Sequence, residues 1–481
     1  MGFLLFATQK KGNRLISPRS RLADWLQKHR DILPPTAVGI ALRLVLMLAA
    51  FTLTGTTVMT QGDTSSYLQP GLNLILHGAY AANGLPEIDR TPGYPIFLVL
   101  SGMLFNNALL VVTIQIALSL ISLLLVRNIA RKTFPGSNAA TVAAWLYACE
   151  PISILYTSRL MPETLFVLLI LAMIDRLLAF YASSKLSTLA LAALMLVAAT
   201  YVRPVSYYLV LPLALALTIS LSPKSGLRWK APILLLIVVI PLLAAWQMRN
   251  RLETGYSGFS STVEQNLYFF QSAEITAELN HQSLPAMQQR LGYPDEASYL
   301  FAHPEQRHWT QSQRLHYMHT EAVRVLSQNR LLYLKSHLTG VAIVAFTPCA
   351  AEFLELINAF PSDGQIPARI INEGIFASIR GSAARYPGMA AVKVLFELYL
   401  LPLYILAIRG IIGKQGIKLP IFTLTGIALY FLIISGGAQA VGRYRSPVMP
   451  ELCIFAAGGC MVFRKQRKGE AKSLRPALMT L

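Results

Sequence analysis

Charged residues are scarce in this chain, and acidic ones are the scarcest: 23 Asp and Glu stand against 42 Lys and Arg, and only 14% of the 481 residues are charged while 54% are hydrophobic. So little polar surface excludes an ordinary soluble domain, and a mean hydropathy of +0.49 points to the bilayer as solvent. Cysteine is rare too. Of Cys149, Cys349, Cys453 and Cys460, three fall in apolar runs. Cys453 and Cys460 are about 10 Å apart along a helix, too far to bond. No disulfide or zinc framework is implied. No cleavable signal peptide is expected, because the apolar run from Gly2 to Ala7 is too short and the next apolar segment is of spanning length. The formal charge of +19 does not indicate nucleic acid, since the basic residues sit at the ends of apolar runs and form no stripe with interleaved aromatics.

What the chain has in abundance is apolar stretches of about 20 residues, each enough to cross roughly 30 Å of hydrocarbon. They lie at about 36–55, 108–127, 138–157, 163–181, 186–202, 205–221, 231–247, 390–410, 418–435 and 446–463. The fold class expected is an all-α polytopic membrane protein with about ten transmembrane helices, 11–13 being the upper range. Residues 1–35 form a basic N-terminus that the positive-inside rule places in the cytoplasm, and Arg127, Arg131 and Lys132, then Lys185, then Lys224, Arg228 and Lys230 mark further cytoplasmic loops. The domains read as a membrane core at 36–247 with its first outer loop at 56–107, an outer segment at 248–392, C-terminal spans at 393–463 and a basic cytoplasmic tail at 464–481. Within the outer segment, 248–331 holds five of the eight histidines and is too long for a linker, so a small folded unit is expected. Parity favours a re-entrant or interfacial 332–348, with an extra span near 370–390 as the alternative.

Two motifs in the first outer loop are the most specific feature: Gly62-Asp63-Thr64-Ser65-Ser66-Tyr67, and Asp89-Arg90-Thr91-Pro92-Gly93-Tyr94-Pro95 some 25 residues later. Further along come Met161-Pro162-Glu163, Arg203-Pro204, Arg249-Asn250 and Gly442-Arg443-Tyr444-Arg445-Ser446-Pro447. In that order these resemble the GT-C superfamily of membrane glycosyltransferases, including the protein-mannosyltransferase-like group and the lipid A aminoarabinose transferase. The resemblance implies catalysis by Asp63 with Glu163, an inverting displacement with lipid phosphate leaving, and substrate contacts from Asp89, Arg90, Tyr94, Arg203, Arg249, Arg443, Tyr444 and Arg445. Arg90 stands where relatives carry a lysine, which keeps the charge and changes the geometry. The donor implied is a polyprenyl-phosphate sugar of the undecaprenyl type. The acceptor is an outer-face glycan, lipid or protein, as in lipopolysaccharide or cell-envelope glycan assembly, with the active site on the periplasmic face of a bacterial inner membrane. Some relatives use a divalent metal, Mg or Mn, which here would fall to Asp63 and Glu163.

Independently of any family, Arg90, Arg203, Arg249, Arg443 and Arg445 fall at the outer ends of spans, where topology disfavours them. A guanidinium there is tolerated when it has an anion to hold, and phosphate suits its fork best. Blander readings stand beside these. Asp63 is also a good helix cap. Glu163 behind a proline gains about 0.3–1 kcal/mol from the helix dipole. The arginines also suit lipid headgroups. His303, His308, His316 and His319 have no Glu-x-x-His pattern and read as ordinary core or surface residues. Two functional rivals remain. A polymerase or ligase of lipid-linked glycans would not need Asp63. A flippase of lipid-linked sugars would place polar residues near the midplane of several spans.

Overall fold

The computed structural model describes residues 31–60, 62–359, 387–413 and 419–462. The basic N-terminal residues up to Arg30, the 414–418 loop, the tail from 464 and most of the possible extra span near 370–390 lie outside them.

The first helix, Leu33–Thr54, starts on Pro34 and Pro35, which lack N–H groups that no helix start can use. Ala108–Thr133 is capped by the Asn107 side chain on the Leu110 N–H, and it ends on Arg131 and Lys132 at the negative pole of its dipole. The expected 138–157 span is a bent pair, Ala139–Ala148 and Pro151–Thr157, meeting at 52°. Pro151 cannot continue the ladder of the helix before it, and the Glu150 carboxylate takes up the Ile152 and Ser153 N–H groups freed there. Glu163–Ser183 then runs back, followed by Leu186–Val202, a break at Arg203-Pro204, Val210–Ser220 and Leu227–Thr254.

Among the described residues, five helices are long and apolar enough to cross a membrane: Leu33–Thr54, Ala108–Thr133, Glu163–Ser183, Leu227–Thr254 and Gly388–Ile412. Their outward faces carry exposed apolar side chains, Val45 at 64% and Leu398 at 68% exposure among them, the pattern of helices solvated by lipid. Leu186–Val202, Pro204–Ser220 and Leu419–Ile434 are apolar but shorter. The 332–348 stretch is part of a second bent pair, Arg330–Phe346 and Ala350–Leu356, at 50°. This is a multi-pass membrane protein. One continuous apolar core joins nearly all of these helices, from Leu46 to Ala457.

An arginine is embedded in that core. Arg43 is fully buried and spends its donors on Ser119 Oγ (2.9 Å), Ser153 Oγ (2.9 Å) and the Gly39 and Ala148 carbonyls. It pins the first helix to the bend of the broken pair, satisfying a charge that hydrocarbon would not.

At one end of the bundle the 56–107 loop folds into the helices Thr64–His77 and Gly93–Leu100, with a hairpin between them pairing Ala81–Ala82 with Leu85–Pro86. The hairpin turns on Asn83-Gly84, both at positive φ (52° and 79°) as a type I′ turn requires. Gly93 packs so closely on the 201–202 backbone that a Cβ there would lie 2.6 Å from the Tyr201 carbonyl oxygen. That contact fixes the loop against the bundle. Residues 256–328 form short helices around a separate aromatic cluster of Tyr256, Tyr268, Phe269 and Tyr299, joined by Ile88 of the loop.

Candidate active site

The loop, the start of the Glu163 helix, the Arg203-Pro204 break and the 442–448 turn all meet at this same end of the bundle. Asp63 follows Gly62, whose φ of +73° turns the chain into the Thr64–His77 helix. Its carboxylate sits at the cap position yet makes no capping bond. It faces two arginines, accepting from Arg443 Nη2 at 2.9 Å and pairing with Arg90 Nη2 at 3.6 Å. Glu163 is 1% exposed and pairs with Arg203 Nη1 at 3.2 Å, with Arg443 Nε at 3.8 Å. Arg443 thus bridges the two carboxylates. Tyr444 lies beside it, with the Arg203 and Arg443 guanidiniums 5.7 and 5.4 Å from its ring centre. Arg90 is oriented by Ser66 Oγ (3.0 Å) and the Tyr67 hydroxyl (3.2 Å) and lies 4.5 Å from the Tyr67 ring centre.

Burial pushes the Asp63 carboxyl upward, but Arg443 and Arg90 outweigh it, with a smaller contribution from Arg203, and hold it below the usual aspartate value of 3.8. Three guanidiniums against two carboxylates leave one positive charge in excess. Glu163 Oε2 and Arg443 Nε, both buried, make no hydrogen bond. The arrangement suits a singly charged anion seated on arginines, next to a carboxylate that stays ionised.

Of the residues singled out from the sequence, Asp63, Glu163, Arg90, Arg203, Arg443 and Tyr444 converge. The others support them. Asp89 points away from the cluster, accepting from Gln265 Nε2 at 2.7 Å and from the Ser261 hydroxyl. Arg249 donates to the Glu87 (2.6 Å) and Tyr80 (2.7 Å) carbonyls and packs on the Trp246 ring at 5.1 Å, clamping the loop. Tyr94 is fully buried below Tyr67, with its hydroxyl on Gln115. Arg445 is 2% exposed and donates to the Val344 (2.7 Å) and Ala345 (2.6 Å) carbonyls near the end of Arg330–Phe346. Arg445→Ala is expected to destabilise the protein by about 1.5–3 kcal/mol, the range for hydrogen bonds from a charged donor, read as a lowered melting temperature in detergent.

Ser66 and Tyr67 stand in the first motif, where nothing in the pattern assigns them a role. A further pair, Arg159 with Glu355 at 2.7 Å, joins residues 196 apart in sequence that belong to no pattern. His303 packs within the aromatic cluster on Tyr268 and Tyr299.

A divalent metal here would fall to Asp63 and Glu163, both of which face guanidiniums. Magnesium is commonly held by one or two carboxylates with substrate phosphate and water completing its shell, and among the described residues no group of three or more His, Cys, Asp or Glu converges.

Residues 89–247 match the family model described as dolichyl-phosphate-mannose-protein mannosyltransferase. That stretch contains Arg90, Glu163 and Arg203 and stops short of Asp63 on one side and Arg443 on the other. Among solved structures, the crystal structure of the Archaeoglobus fulgidus oligosaccharyltransferase tethered with an acceptor peptide matches with a TM-score of 0.50 at 12% identity, over 92% of this chain and 50% of that one. The archaeal oligosaccharyltransferase AglB from Archaeoglobus fulgidus, in complex with an inhibitory peptide and a dolichol-phosphate, gives 0.48 at 12% identity, over 94% and 52%. The chain spans about half the length of these structures. No curated protein matches. The resemblance to GT-C glycosyltransferases drawn from the motifs is thus met by a family-model match and, in the first structure, by the fold.

Proposed function

We propose that this protein transfers a single sugar from a polyprenyl-phosphate carrier to an acceptor hydroxyl or amine, with inversion at the anomeric carbon. The observation that carries the reading is the convergence of Asp63, Arg90, Glu163, Arg203 and Arg443, drawn from 380 residues of sequence, into one cluster with a single excess positive charge. A polyprenyl-phosphate sugar is a phosphodiester and carries one negative charge.

In the free protein Asp63 is held by Arg443 and Arg90. A phosphodiester arriving on those guanidiniums competes for the same donors, so its binding frees the carboxylate and raises its basicity. Asp63 then accepts the acceptor's proton as the new bond to the anomeric carbon forms. The bond from that carbon to the phosphate oxygen breaks, and its electron pair leaves on the lipid phosphate, which the arginines stabilise. Glu163 holds Arg203 and Arg443 in position.

The end opposite the cluster is basic. Lys132 and Arg176 pair with Asp175, 12 residues and so about 18 Å along the helix from Glu163. By the positive-inside rule that end faces the cytoplasm, which supports a periplasmic active site in a bacterial inner membrane.

The test is release of polyprenyl phosphate from a panel of radiolabelled polyprenyl-phosphate sugars by the purified protein, with membrane extract as acceptor. Transfer of label from one donor supports the reading. Label that crosses a proteoliposome bilayer without leaving its carrier would establish a flippase.

A further inference from the structure

A segment of the 256–328 unit is tied on two sides to the chain that flanks the site. Gln265 holds Asp89, the neighbour of Arg90, at 2.7 Å. Six residues on, Gln271 reaches the Gly436 carbonyl at 3.5 Å and packs on Gly437 so tightly that a Cβ there would clash with its amide. Gly436 and Gly437 lead into the 442–448 turn that carries Arg443 and Tyr444. The chain from Gln265 to Gln271 therefore links the Arg90 wall to the Arg443 wall. Its Leu267–Ser272 turn is a π-helix, a rare form that frequently occurs at functional sites. It presents Phe269 and Phe270, on which the Tyr293 ring rests at centroid distances of 5.5 and 5.4 Å. Tyr293 is nonetheless 39% exposed. Its phenol lies within electrostatic range of Asp63, Tyr444 and Arg90, that is, of both the base and the phosphate-binding side. The ring thus rests on the segment that joins the two walls and keeps part of its surface open.

We infer that Tyr293, braced by Phe269 and Phe270, contacts the transferred sugar and discriminates among sugars on a common lipid phosphate. This role rests on the glycosyl-transfer reading of the cluster. An aromatic ring offers the apolar C–H face of a pyranose a flat partner, and its hydroxyl offers a sugar hydroxyl a hydrogen bond. Lipid phosphate on the arginines and acceptor at Asp63 leave the sugar between them, among the groups within electrostatic range of Tyr293.

The experiment compares dissociation constants of bare polyprenyl phosphate and of the same lipid carrying mannose, glucose or aminoarabinose. Full-length protein in detergent carries Asp63→Asn so that nothing turns over, with and without Tyr293→Ala or Tyr293→Phe. With the sugar that wild type transfers, Tyr293→Ala is expected to weaken binding about 5- to 10-fold and to leave bare lipid phosphate within about twofold. Tyr293→Phe, which keeps the stacked ring, separates the ring from the hydroxyl and reports on folding. Equal weakening for bare and loaded lipid, or none for either, overturns the assignment while leaving the arginine site intact. If the Asp63→Asn protein with Tyr293 intact binds neither lipid, the glycosyl-transfer reading fails and the role of Tyr293 fails with it.

Discussion

Asp63→Asn is expected to lower the transfer rate by about 10²–10⁴-fold, the range a positioned general base supplies, while the protein stays folded and still binds polyprenyl phosphate. Asparagine keeps the shape of the side chain and removes only its charge and proton affinity. Arg443 and Arg90 lose a competitor in that variant, so lipid-phosphate binding holds or tightens. The measurement is kcat and donor Kd on the same preparation. A variant with wild-type kcat would remove Asp63 from the chemistry and favour a ligase or polymerase, which has no need of it.

The second large effect is at Arg443, which alone among the described residues pairs with both carboxylates. Arg443→Gln removes a phosphate-binding donor, at a cost of about 10²–10³ in rate. It also removes the nearest cation from Asp63. In wild type the Asp63 carboxyl is held below 3.8, so kcat/KM, which reports the free enzyme, stays level as pH falls through 5 and 4 and declines only below the ordinary aspartate range. With Arg443 gone, burial acts on the carboxyl with less opposition and its pKa rises. The acid limb of kcat/KM then moves to higher pH. The same sign holds for folding. Asp63 contributes stability above its unfolded value, and that contribution is lost as pH falls through the folded one. Arg90→Gln, which removes the more distant partner at 3.6 Å, shifts the limb the same way and less.

The bundle is legible in the sequence because hydrocarbon permits little else than apolar helices of spanning length. Among the described residues the ten apolar runs coincide with largely helical segments, including the bent pair that replaces a straight 138–157 span. The bend itself is written in Glu150-Pro151, a cap residue followed by a proline, and the hairpin in Asn83-Gly84; both signals are local and easily passed over inside longer apolar or polar stretches. For the site, the arginines stand out by their disfavoured positions, but position alone does not say which of them face inward. Arg203 and Arg443 turn to the cluster, whereas Arg445, two residues from Arg443, turns to backbone carbonyls. A two-residue step in a 3₁₀ turn swings the side chain about 240° around the axis, which no spacing rule on a loop anticipates. Tyr293 is invisible in the sequence for another reason: its ring contacts with Phe269 and Phe270, more than 20 residues earlier, are an outcome of packing.

Where the lipid phosphate binds decides between these readings, and a structure of the Asp63→Asn protein solved with polyprenyl phosphate tests it most directly. The phosphate is expected between the Arg443, Arg203 and Arg90 guanidiniums, with its lipid tail leaving the bundle among the apolar helix faces. Phosphate density at the Lys132 and Arg176 end of the bundle, with the Arg443 cluster unchanged, would contradict the assignment.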